Sequence, residues 1–168
     1  MNIKYEFVPG DEKVISLGHT VKRIRALAAI ADFGVSQGDL GGYIESEKSL
    51  SASGNAWVSG DALVSGDALV SGDAQVSGKA QVSGDAQVYG NAQVSSDDHA
   101  IWFSHVGSEN GTLTVYKTKD SIEVTRGCFR GTIDEFLAAS EKKHDEQTHL
   151  EYRMLIEVAY MRITRDRN

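Results

Sequence analysis

The chain has 168 residues, 40% of them apolar, with 24 Asp and Glu against 17 Lys and Arg for a formal net charge of −7. Its one cysteine, Cys128, excludes an intramolecular disulfide. No long apolar run suggests a signal or membrane-spanning segment, and the acidic balance argues against generic DNA binding. A reducing, cytoplasmic setting is the expectation.

Residues 1–40 read as an N-terminal β cap. Lys4-Tyr5-Glu6-Phe7-Val8 has strand character and Pro9-Gly10-Asp11 reads as a turn. Between Val21 and Ala31 two periods compete. Val21, Ile24, Ala28 and Ala31 suit a helix, whereas the Arg23/Arg25 and Ile24/Ala26 alternations suit a strand. The strand is favoured because this stretch hands over to a repeat. Leu40 and Ile44 are in register with the later valine and alanine columns, so Gly38–Ile44 is expected to form an irregular first layer.

Residues 41–99 contain the dominant signal. From Asn55 to Ser96 a six-residue unit, most often Val-Ser-Gly-Asp-Ala-Gln/Leu, recurs seven times, with valine at 58, 64, 70, 76, 82, 88 and 94. Six residues advance a helix by about 600°, which would scatter the valines over three stripes. Alanine and valine two apart instead point to one side of a short extended segment, and each Ser-Gly-Asp or Ser-Gly-Asn supplies a turn. The units resemble the hexapeptide repeat of left-handed parallel β-helices, three units to a layer. That resemblance implies eighteen-residue stacking: Val58, Val76 and Val94 in one inner column, Val64 with Val82, and Val70 with Val88. Outside, Trp57 aligns with Gln75 and Gln93, Leu63 with Gln81, and Leu69 with Gln87. The early outward positions Trp57, Leu63 and Leu69 are apolar and are expected to be covered by another segment or subunit. The valines alone do not offset the entropy of ordering so many residues, so caps and an oligomer are expected.

Residues 100–168 abandon the six-residue beat and read as a C-terminal α+β cap with an oligomerisation surface. Ile101–Val106, Thr112–Thr118 and Ser121–Thr125 suit an antiparallel meander. Thr132-Ile-Asp-Glu135 matches a capping box opening a helix. A second helix, roughly Gln147 to Arg165, carries Leu150, Met154, Val158 and Met161 on one stripe. Leu155, Ile156, Ala159 and Ile163 widen it, which argues for packing on two sides. The fold class is therefore mainly β, a short parallel β-helix between an N-terminal β cap and a sheet with two helices.

Chemistry is harder to find. His99 and His105 lie six apart at the exit of the repeats and suit polar residues at a solenoid end. Cys128 stands between Arg126 and Arg130, which would favour its thiolate, yet no catalytic set accompanies it and a buried structural thiol is expected. The cations are more suggestive. Lys117 and Lys119 alternate along a strand, and Arg126 and Arg130 flank the glycine-bounded segment Gly127–Gly131 before a helix start, an arrangement suited to phosphate or carboxylate. Tyr116 and Phe129 could stack on a base. No cofactor or metal set is expected.

Gly38-Asp-Leu-Gly-Gly-Tyr-Ile-Glu45, the repeats, Gly111-Thr-Leu-Thr-Val-Tyr-Lys-Thr-Lys-Asp120 and Gly127-Cys-Phe-Arg-Gly-Thr-Ile-Asp-Glu-Phe136 together resemble a family of small hexapeptide-repeat proteins of phages and prophages. The resemblance implies an accessory phage product in the host cytoplasm that interferes with a host process. With the basic cap, it suggests a non-catalytic binding protein that sequesters a nucleotide-like signal or blocks a host defence protein. A hexapeptide-repeat acyltransferase and a structural or virion assembly module are the alternatives. A homo-oligomer, a trimer as in many relatives of the repeat, is expected.

Overall fold

The computed structural model describes residues 4–165, and no helix among them is long and apolar enough to cross a membrane. Strands β1 (Tyr5–Val14), β2 (Thr20–Ala26) and β3 (Leu40–Ile44) pair antiparallel in that order. The stretch with two competing periods is a strand over most of its length: Val21, Ile24 and Ala26 are buried. Pro9-Gly10-Asp11 does not reverse the chain as expected. It sits inside β1, where the register slips between Phe7 and Glu12, and the reversal comes at Ser16–Gly18. Proline cannot donate to a ladder, and a bulge leaves its position unpaired.

The repeats form seven two-residue strands: β4 (Trp57–Val58), β5 (Leu63–Val64), β6 (Leu69–Val70), β7 (Gln75–Val76), β8 (Gln81–Val82), β9 (Gln87–Val88) and β10 (Gln93–Val94). Pairing is parallel, β4 with β7 and β7 with β10, β5 with β8, and β6 with β9. Every partner lies eighteen residues away, so three ladders run side by side and three units make one layer of a β-solenoid. All seven valines are at most 1% exposed, as are the alanines that precede them by two. The turn glycines are obligatory. Gly72 has φ 72°, and a Cβ there would come within 2.9 Å of the Gly90 backbone nitrogen in the next layer.

The first layer differs from expectation. Ile44 pairs with Val64 and Leu50 bridges Val70, each twenty residues on. Leu50 and Val58 stand eight apart rather than six, and the Ser51–Asn55 turn absorbs the extra residues. Leu40 is no core residue: it is 56% exposed and pairs with Arg25 at the antiparallel edge.

Beyond the repeats, β11 (Ala100–Val106), β12 (Gly111–Lys117), β13 (Ile122–Arg126) and β14 (Phe129–Thr132) form an antiparallel sheet in chain order. Helix α1 (Ile133–Lys143) opens on the expected capping box. Thr132 Oγ1 accepts from the Glu135 N–H at 3.3 Å, and Glu135 Oε2 accepts from the Thr132 N–H at 2.8 Å. Helix α2 (Glu146–Ile163) is capped by Asp145, which accepts from the Thr148 N–H at 2.7 Å. These backbone bonds hold the exposed Glu135 and Asp145 carboxyls below the usual carboxylate range. A second core forms from Leu113, Val115, Val124, Phe136, Tyr152, Ile156, Ala159 and Ile163, while Tyr116 joins the solenoid core.

This sheet caps the solenoid. Each layer donates its N–H groups to carbonyls of the next, as Trp57 does to Ala74 and Gln75 to Ala92, which leaves the donors of the last layer facing the C-terminal segment. Side chains meet them. The Gln87 N–H donates to Thr114 Oγ1 at 3.1 Å, Thr125 Oγ1 donates to the Gln87 carbonyl at 2.8 Å, and the Gln81 N–H donates to Asp97 at 2.8 Å. Thr114 and Thr125 are 1% and 2% exposed.

At the other end Lys4 is buried, and its ammonium donates to the Ser51 carbonyl at 2.9 Å. Burial lowers its pKa to about 8 against the opposing pull of Asp73.

Thr125→Val should lower the unfolding free energy by about 1–3 kcal/mol, because it removes the buried Thr125 hydroxyl from the half-buried Gln87 carbonyl. Thr112→Val, at the half-buried start of β12 where the hydroxyl meets only the exposed Ser104 hydroxyl at 3.4 Å, should stay within about 0.5 kcal/mol in the same urea titration. Equal losses would contradict the capping role. Unfolded, Lys4 titrates near 10.5, so between about pH 8 and pH 10 the unfolded chain binds more protons and stability rises with pH. Burial pushes the Tyr116 hydroxyl up, so its ionisation favours the unfolded chain above about pH 10 and ends the rise. The urea midpoint should climb across that window in the wild type and not in Lys4→Met; identical profiles would exclude the assignment.

Candidate functional site

The residues expected to form one basic site are not brought together. Lys117 and Lys119 line a shallow groove with His99, Asp120 and Arg165. Arg126 lies at the other end of β13, where it pairs with Leu113, whereas Lys117 pairs with Ile122. Arg130 points elsewhere again. Its Nε lies 3.5 Å from Glu123, which also accepts from the Tyr116 hydroxyl at 3.3 Å, so it serves the joint between sheet and solenoid. Tyr116 is fully buried at that joint and cannot stack on a base, which corrects its expected role. The glycine-bounded segment is no anion loop either. Val124 pairs with Gly131, Thr125 with Arg130 and Arg126 with Phe129, so it is a hairpin with a Gly127-Cys128 turn.

Two of the expected residues, Arg126 and Phe129, do meet. With Cys128, Lys143, His144 and Tyr152 they line a pocket of about 380 Å³ between the β13–β14 hairpin and the end of α1. The Arg126 side chain is only 10% exposed. One terminal nitrogen donates to the Val106 carbonyl at 3.3 Å, the other lies 3.7 Å from Glu109, and the guanidinium stands 6.0 Å from the Tyr152 ring centre. Its Nε–H is buried without a hydrogen-bond partner among the described residues. A buried charged donor in that state is costly. Phe129, Phe136 and Tyr152 form an edge-to-face series with centroids 5.1 and 5.2 Å apart, and His144 continues it at 5.6 Å. Arg126 and Lys143 face the single carboxylate of Glu109, which is 72% exposed. The pocket thus offers a net positive charge beside an aromatic wall.

Cys128 is exposed rather than buried, because the Gly127-Cys128 turn, with Gly127 at φ 58°, projects it to solvent. His99 accepts from the Ser95 N–H at 3.3 Å, and burial, with Lys117 nearby, lowers its pKa. It closes the last repeat. His105 sits in the β11 bulge at φ 60°, so the two histidines do not share a site.

Of the outward apolar residues of the repeats, Trp57 is covered inside the chain, and Leu63 and Leu69 only in part. Trp57 is 3% exposed in the same core as Ile30. The turn around Ala31–Phe33 lies on that face: Asn55 donates to Asp32 at 3.1 Å, and Phe33 shares a groove with Gln75. Leu63 is half-buried in a groove of about 430 Å³ with His19, Gln81 and Trp102, and Leu69 is half-buried too. In the Leu63 groove lies a pair that sequence reasoning missed. His19 Nδ1 is 2.8 and 3.1 Å from the Glu45 carboxylate oxygens, and Glu45 also accepts from the Gly66 N–H at 2.6 Å. The His19 bond, then the Gly66 bond, hold the Glu45 carboxyl below the usual carboxylate range.

A family model described as "YdcK Beta solenoid repeat" matches residues 62–78 and 80–96. The match covers the middle of the solenoid, bears out a β-solenoid repeat, and does not reach the Arg126 pocket. No curated protein matches the chain.

Proposed function

We propose that this chain is a non-catalytic binding protein whose Arg126 pocket takes a small anionic ligand with a planar group, of the nucleotide class. The observation that supports it is the buried Arg126 guanidinium, whose Nε–H has no hydrogen-bond partner among the described residues. A phosphate or carboxylate oxygen that displaced the exposed Glu109 would take its place on the Arg126 guanidinium, Lys143 would add charge from the rim, and Phe129 offers a face for a base. In this reading the solenoid is a left-handed coil that acts as scaffold. The phage-family resemblance gives the context: a phage-encoded product in the host cytoplasm that sequesters a nucleotide-like signal of an antiviral response.

The His19–Glu45 pair favours a second reading, acyl transfer. A carboxylate on Nδ1 fixes the tautomer that leaves Nε2 able to take a proton from an acceptor hydroxyl or amine attacking an acyl thioester. The first reading is preferred because the groove's remaining charged groups are the carboxylates Asp67 and Asp85, which disfavour a polyanionic acyl carrier.

Titration calorimetry with inorganic phosphate, mononucleotides and cyclic dinucleotides should find a binder. Arg126→Gln should weaken it by at least about tenfold, since a charged hydrogen bond is worth about 1.5–3 kcal/mol, and Lys143→Ala by severalfold with an unchanged melt. Arg130→Ala should leave it unaltered. Binding indifferent to Lys143 and Arg126 would reject the pocket, and acetyl-coenzyme A turnover lost in His19→Ala would install the second reading.

A further inference from the structure

Helix α2 has two apolar faces and the chain covers one of them. Tyr152, Ile156, Ala159 and Ile163 are buried. Leu150, Met154, Val158 and Met161 are 43%, 58%, 42% and 62% exposed, and Tyr160 beside them is 50% exposed. The only other large apolar side chains so exposed among the described residues are Val14 and Leu40, at the opposite end of the molecule. The spacing of four, four and three residues keeps the stripe on one side of the helix. A patch of this kind marks an interface.

The charges along α2 select its partner. Its start carries Asp145, Glu146 and Glu151, and its end carries Arg162 with Arg165 just beyond. Asp145 caps the helix on the Thr148 N–H, Arg153 and Glu157 pair with each other, and Glu151 and Arg162 contact the Gly107 N–H and Asp98, which leaves Glu146 and Arg165 to meet a partner. We propose that a second copy of this chain lies antiparallel on this stripe, related by a two-fold axis near residue 156. In that register Leu150 of one copy faces Met161 of the other, Met154 faces Val158, and Glu146 approaches Arg165. The helix dipoles also oppose. A parallel pair would set Glu146 on Glu146 and Arg165 on Arg165. An 18-residue helix, about 27 Å long, does not alone provide the roughly 800 Å² per partner of a stable interface. The contact is extended by an apolar groove of about 1000 Å³ between α1 and α2, lined by Ile133, Leu137, Ile156, Tyr160 and Met161. Because Met161 belongs to both, Leu150 of the second copy arrives at the groove mouth. The pairing is isologous and closes at two copies, in place of the threefold assembly expected from the repeat, and it is independent of any ligand in the Arg126 pocket.

Light scattering after size exclusion should give a dimer at concentrations near about 100 µM that dissociates on dilution, in keeping with a micromolar contact. Met154→Lys should weaken it at least tenfold without altering the thermal melt, since the side chain touches no core. In a Cys128→Ser background, Leu150→Cys and Met161→Cys proteins should form a mixed disulfide when combined and little disulfide when oxidised separately. A monomer or trimer mass, a dimer untouched by Met154→Lys, or efficient self-linking of each single variant would overturn the proposal.

Discussion

Everything in this molecule depends on what happens at the two ends of a ladder. Strands of two residues carry no stability of their own; they hold because their N–H groups find carbonyls of the next layer, seventeen residues on, as Trp57 finds Ala74 and Gln75 finds Ala92. Such a stack always ends with one layer whose donors face nothing of the repeat, and buried unpaired backbone groups are intolerable. At the start, β3 turns the parallel edge into an antiparallel one by pairing with β2. At the finish the problem is solved by side chains, with Thr114, Thr125 and Asp97 meeting the last layer. Tyr116 fills the end of the valine column. Cap and repeat are thus one cooperative structure, and the cap's orientation is set by the joint.

That joint decides which surfaces are left for function. The face of β12 that carries Thr114 and Tyr116 is used up in capping, and Arg130 is drawn into the same joint through Glu123. The other side of the sheet carries α1 and α2, and the hairpin end of β13 and β14 faces the end of α1 across a pocket. There Arg126 lines the pocket beside the end of α1, with one donor unanswered among the described residues. The solenoid exterior beyond Leu69, by contrast, is mostly glutamine, serine and aspartate, a surface that serves solubility.

The sequence was most legible where a single period governs many residues. Valine spacing, turn glycines and alanine positions gave the eighteen-residue register, the inner columns and the outer alignments, because each unit repeats the same local solution. Reading failed where the period was interrupted. Two extra residues in Ser51–Asn55 shifted Ile44 from an alanine partner to Val64, and no local pattern at Ile44 signals this. Gly127–Gly131 has loop composition yet pairs as a hairpin, since Arg126 and Phe129 are held by neighbours the segment itself does not reveal. Four cations close in sequence pointed three ways, because strand alternation and the turn separate them. Lys143 and His144 joined the pocket only through the packing of α1, and His19 met Glu45 across 26 positions with no motif to link them.

The account places function in the cap and treats the repeat as scaffold. Native mass spectrometry of the protein recovered from cells under phage attack, followed by denaturation in the same instrument, tests this most directly. It predicts a small anion of nucleotide class held by the wild type and absent from protein carrying glutamine at position 126. Protein of bare chain mass from such cells, or cargo retained when Arg126 is replaced, would contradict it.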